Sequence, residues 1–211
     1  KLQARVDDIA KGAALMTGTS YDRVFIDGTA ELLPNYTLEK LMHSCFEEVG
    51  VPKCTAEELE YAAALKATYP PERDVPGIGA KFDAGIAKQV KALSENMTKP
   101  VYDFLMPQYS GEGFRPGSTD VGDVSWQTPT AQIEVAAWPA GVPGHSWQVV
   151  ACGKSSMAHK AMLCAGKVIA SAAIELLEQP ALLEKAKSEF KERSASGYVC
   201  PIEPDAVPIA L

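Results

Sequence analysis

The chain has 211 residues, 46% of them apolar, with 20 Lys and Arg against 27 Asp and Glu and a net charge of −7. That size and apolar share are enough to bury a sizeable core. The acidic balance, without any block of basic residues, argues against nucleic acid or an anionic membrane surface as the main partner. No run of eighteen apolar residues occurs, so no segment is expected to span a bilayer.

The first segment, "KLQARVDDIAKGAALM", places Leu2, Val6, Ile9, Ala10, Ala13 and Ala14 at helical spacing from its start. It has neither an initiator methionine nor an N-cap, as expected of a piece of a longer protein. Gly18 and Ser20 break the pattern, and "YDRVFIDGTAEL" alternates as a strand does, with Val24 and Ile26 on one side. After "LPN", Thr37 is expected to cap a second helix carrying Leu38, Leu41, Met42, Cys45, Phe46 and Val49 on one face and ending at Gly50. In the third, "TAEELEYAAALKATY", Thr55 and Glu58 have capping-box spacing. From Pro70 to Phe114 proline and glycine alternate around one short helical stretch, 82–93, as in a long functional loop.

"GSTDVGDVSWQTPT" (117–130) is too rich in glycine and serine for a stable helix. "TAQIEVAAWPAG" then reads as a strand with Ile133, Val135 and Ala137 on one side. A long helix over about 155–177 carries the stripe Met157, Ala161, Ala165, Val168, Ala172 and Leu176, suited to packing on a sheet. A charged helix over 180–193 precedes the irregular tail. Strands alternating with helices predict an α/β or α+β architecture.

The residues alone leave several roles open. His145, between Gly144 and Ser146, suits a metal ligand held at a loop junction, or a surface histidine bonded to its own loop. A zinc site needs three or four ligands, and no H-E-x-x-H motif or cysteine pair completes one. Asp120 and Asp123 suit metal ligands, a base or Asx-turn caps, and the glycines around them permit a backbone nest for an anion. His43 is expected to be solvated and His159 to be a satisfied helix histidine. The five cysteines (45, 54, 152, 164 and 200) are odd in number, as for free or buried thiols in a reducing compartment. Cys152 and Cys164 lack the neighbours that make a thiolate nucleophile. Trp126, Trp138 and Trp147 suit either core packing or a pocket for a flat ring.

Together, "GSTDVGDVSW", a following strand, "GVPGHSWQ", "AHKAM" opening a helix and "CPI" near the end resemble the aminobenzoyl-glutamate branch of the zinc-dependent aminoacylase/carboxypeptidase metallopeptidases. "IAKGAALMTGT" is similar to the closing helix of that family's lid domain, and "LPNYTLE" to its return to the catalytic domain. Where more general relatives have Glu-Asp-Phe after "GS", this sequence has Thr119, Asp120 and Val121, the form of the aminobenzoyl-glutamate subgroup.

The resemblance covers nearly the whole chain and implies a C-terminal fragment. Residues 1–33 would be the last part of a ferredoxin-like lid or dimerisation domain, and 34–211 the C-terminal half of a zinc-peptidase-like α/β catalytic domain. It implies cleavage of p-aminobenzoyl-glutamate to p-aminobenzoate and glutamate at two divalent metal ions, zinc or manganese, that activate a water. The general-base glutamate and most metal ligands would precede this chain, leaving it no catalytic residue and no turnover alone. His145 matches the family's final metal-ligand histidine. Ser118, Thr119 and Asp120 match its substrate-side loop, Asn35 a hinge asparagine near substrate, and Trp147 or Trp126 suits the aromatic ring. Implied partners are a small-molecule amide and either a second copy through the lid or a related hydrolase chain in a hetero-oligomer, in the cytoplasm. The alternatives are an amidohydrolase for N-acyl amino acids or dipeptides, and a non-catalytic component of such an assembly.

Overall fold

A computed structural model describes residues 2–70, 83–111 and 117–206. Among them the chain is all-helical, with eight helices and no strand, which overturns the expected α/β architecture and the ferredoxin-like lid. Period-2 alternation specifies an extended segment with two faces, but a sheet also needs a neighbouring strand to share its hydrogen bonds. Neither "YDRVFIDGTAEL" nor "TAQIEVAAWPAG" has such a neighbour among the described residues. The chain forms two compact units, residues 1–30 with 199–211 and residues 31–198.

In the first unit, α1 (Leu2–Thr17) buries none of its residues. It ends where Gly18 takes φ 66°, with Thr19 N–H donating to Ala14 C=O (3.0 Å) and Gly18 N–H to Leu15 C=O (3.4 Å). This paired ending needs a residue free to enter the left-handed region. Tyr21 Oη donates to Asp7 Oδ1 (2.5 Å) and Arg23 lies 3.3 Å from the same oxygen, so the following segment is tied back to the helix. Val24 and Ile26, expected on the inner face of a strand, are both more than half exposed.

The second unit holds α2 (Tyr36–Val49), α3 (Ala56–Lys66), α4 (Ala84–Glu95), α5 (Val121–Ser125), α6 (Trp147–Cys152), α7 (Ser156–Glu178) and α8 (Pro180–Arg193). Leu41, Cys45 and Phe46 of α2 meet Cys164, Val168 and Ala172 of α7 in the main core. The face predicted for α2 is therefore the buried one. Ile133 and Val135 also pack against this core while Gln132 and Glu134 face outward. The alternation thus named the right side of a segment that joins no sheet. A second cluster joins Ala62 and Leu65 of α3 to Val101, Cys152 and Met157.

Two polar networks tie the helices together. The cap of α2 is Asn35 and not Thr37. Its Oδ1 accepts from Leu38 N–H (3.1 Å) while its Nδ2 donates to Ala186 C=O (2.9 Å). Thr37 is buried and donates its hydroxyl to Glu189 Oε2 (2.7 Å), which also accepts from Thr37 N–H (2.9 Å). Burial pushes the Glu189 carboxyl up, but the bonds from Thr37, Tyr36 and Arg193 outweigh it and leave it below the usual range. The capping box at α3 forms as expected, with Thr55 N–H on Glu58 Oε2 (2.7 Å) and Glu58 N–H on Thr55 Oγ1 (3.3 Å). Glu58 further accepts from Lys160 Nζ (2.7 Å) and Ser156 Oγ (2.6 Å), joining α3 to the start of α7. Those donors hold its carboxyl at about 2, well below the ordinary 4.5.

Candidate functional site

The 117–130 loop departs from its sequence reading in one respect. Residues 121–125 form a short helix, α5, despite their glycine and serine. Five residues are too few for a helix to stand alone in water, and tertiary bonds supply the difference. Ser125, fully buried, donates to Gly122 C=O (2.5 Å) and accepts from Leu33 N–H (2.8 Å). Trp126 Nε1 donates to Glu31 C=O (2.9 Å). Tyr198 Oη donates to Asp123 Oδ1 (2.7 Å), and its ring lies 6.4 Å from that of Trp126 at 39°. Trp126 is therefore a bracing residue, its indole N–H already engaged.

The other half of the loop is open. Gly117 sits at φ 150°, and Ser118, Thr119 and Asp120 are all exposed. Asp120 occupies the N-cap position of α5 but makes no side-chain cap bond, so its carboxylate is not spent as an ordinary cap. Its carbonyl accepts from Asp123 N–H (3.1 Å) and Val124 N–H (3.4 Å), coupling it to the braced turn.

His145 stands on a similarly fixed frame. Before it, Ala140 is fully buried, with its N–H on Pro100 C=O (2.8 Å) and its C=O accepting from Tyr69 Oη (2.9 Å). After it, Ser146 caps α6 by accepting from Val149 N–H (3.4 Å), and buried Gln148 donates to Thr68 Oγ1 (3.0 Å). Between these anchors His145 is exposed and takes φ 56°, alone among the described non-glycine residues in having positive φ. That region costs an L-residue roughly 1–2 kcal/mol, and such costs gather where a side chain is held for a purpose. Trp147 follows at 61% exposure, its ring available to solvent.

The remaining candidates are placed differently. Asn35 is 2% exposed and uses both polar atoms within the fold. His43, expected in solvent, is half-buried, with Nε2 against Met106 C=O (2.8 Å). His159 is exposed on α7. Trp138 is also well exposed. Burial pushes the thiols of Cys45, Cys152 and Cys164 up, away from the reactive thiolate. Sequence reasoning passed over Tyr198. A lone tyrosine in an irregular tail carries no pattern, and its partner Asp123 lies 75 residues away along the chain.

Among the described residues no three His, Cys, Asp or Glu side chains come together as a group that could hold a metal ion. Nor is any described helix long and apolar enough to cross a membrane.

The class these features define is an all-helical chain presenting a held histidine, an exposed tryptophan and a polar loop. No protein-family profile and no solved structure matches it. It is 35% identical over 211 residues, 98% of its length, to the B subunit of the p-aminobenzoyl-glutamate hydrolase of Escherichia coli (strain K12). The chain spans 43% of that protein's length.

Proposed function

We propose that the chain is part of a hydrolase that cleaves p-aminobenzoyl-glutamate to p-aminobenzoate and glutamate. The observation that carries this is His145, an exposed imidazole kept in a costly backbone conformation between two anchored segments. The similarity to one component of a p-aminobenzoyl-glutamate hydrolase supports the substrate. His145 serves as one ligand of a divalent metal site, zinc or manganese, whose other ligands come from outside the described residues. Trp147 offers its face to the aminobenzoyl ring. The hydroxyls of Ser118 and Thr119 donate to substrate oxygens, while the Asp120 carboxylate accepts from substrate N–H groups. Asn35 supports the site indirectly, by holding the start of α2 on α8. The active assembly is a dimer through the first 33 residues or a hetero-oligomer with a related hydrolase chain.

The deciding experiment measures p-aminobenzoate release by a polypeptide of the relative's length that carries this chain, beside a panel of N-acyl amino acids and dipeptides. Preference for the aromatic amide is expected, with Trp147→Ala raising its KM about threefold to tenfold, the worth of one aromatic pair. Equal rates on aliphatic amides would replace the substrate assignment. A non-catalytic component is the second reading. It predicts no turnover in any assembly where this chain supplies the only candidate site.

A further inference from the structure

We propose that Tyr198 is a positioning residue, holding Asp123 and Trp126 so that the Ser118–Thr119–Asp120 edge of the same loop is set to receive substrate. This rests on the substrate-side role proposed above for that edge. Its basis is an asymmetry within one loop. The half from Gly122 to Trp126 is pinned from outside, by Leu33 on Ser125, by Glu31 on Trp126 and by Tyr198 on Asp123. The half from Ser118 to Asp120 is exposed, and the bonds found there are local ones, such as Val121 N–H to Thr119 Oγ1 (3.3 Å). Where those three side chains point therefore follows from the pinned half, through the bonds of Asp123 and Val124 to the Asp120 carbonyl.

Tyr198 differs from the other two pins. Leu33 and Glu31 contribute backbone atoms, whereas Tyr198 contributes a hydroxyl to a carboxylate at 2.7 Å and a ring against the indole. A hydrogen bond to a charged group is stronger than a neutral one. It is also the pin that a side-chain change can remove without touching the loop itself.

The test has two arms. In the first, amide hydrogen exchange of this chain is compared between wild type, Tyr198→Phe and Asp123→Asn, without substrate. Protection over 118–126 should fall about tenfold in both variants, with the helices of the main core unchanged, which also shows that the variants fold. In the second arm, p-aminobenzoyl-glutamate turnover is measured in the longer polypeptide. Tyr198→Phe should raise KM about tenfold with kcat within twofold, and the double variant should be no worse than either single one. Unchanged protection overturns the inference whatever the activity. Lost protection with unchanged KM also overturns it, since Tyr198 would then only order the loop. If the wild type releases no p-aminobenzoate, the proposed function fails instead, and the exchange arm still decides whether Tyr198 holds the loop.

Discussion

His145 and Glu58 sit in opposite environments, the one exposed at positive φ and the other buried among hydrogen bonds. If His145 is held in the left-handed region for its imidazole, a residue without Cβ should relax it. His145→Gly is therefore expected to raise the unfolding free energy by about 1 kcal/mol, whereas His145→Ala should not. Urea unfolding of the pair checks this, and equal midpoints would mean the backbone there stores no strain. Glu58 is the opposite case, a buried carboxylate fully used by the fold. Its pKa falls from 4.5 to about 2 on folding, so the unfolded state takes up protons first as pH drops. Its contribution is complete above the ordinary carboxyl range and is lost as pH falls from 4.5 toward 2. Glu58→Gln should cost about 1–3 kcal/mol near neutrality. The gap in Tm between wild type and variant should narrow across that acid window and persist above it. A constant gap would show that the charge is not what matters.

Among the elements, α7 carries the clearest division of labour. Adjacent residues differ sharply, Val168 at 0% exposure in the main core and Ile169 at 54%. Val168→Ala should cost about 2 kcal/mol through lost contacts and a residual cavity. Ile169→Glu should change stability by no more than about 0.5 kcal/mol, as an exposed substitution does. Thermal melts of the two variants decide it, and a large loss at 169 would place that side chain in a contact not described above. The stripe of Met157, Ala161, Val168 and Ala172 was legible as a buried face because helical period is local. What that face would meet was not: in place of the expected sheet, Val168 and Ala172 meet α2 while Met157 joins the cluster with α3. The short helices α5 and α6 were illegible for a related reason. Each is too short to be favoured by its own sequence, and each depends on bonds from distant residues, Leu33 to Ser125 and Gln148 to Thr68.

For the whole molecule, the candidate site is spread over loops, and among the described residues no three His, Cys, Asp or Glu side chains come together as a group that could hold a metal ion. The 211-residue chain alone is expected to bind zinc more weakly than micromolar, since the described residues bring no second and third ligand to His145 and a zinc site requires three. Titration calorimetry with zinc checks this, and a stoichiometric site of sub-micromolar affinity would mean that further ligands assemble among residues outside those described. The same chain alone is expected to show no release of p-aminobenzoate from p-aminobenzoyl-glutamate, because the proposed metal site needs three ligands and the described residues do not bring three together.

The sequence by itself determined the inward faces of α2 and α7 and where α3 and α8 begin. Those properties follow from period, capping chemistry and turn preference, all set within a few residues of chain. Only the tertiary structure decided that the alternating segments join no sheet among the described residues, that Asn35 and Glu189 hold the start of α2, that Trp126 bonds Glu31 and that Tyr198 bonds Asp123. Each of these depends on a partner distant along the chain, and a hydrogen bond or a strand pairing has no signature in the residues that make up one side of it.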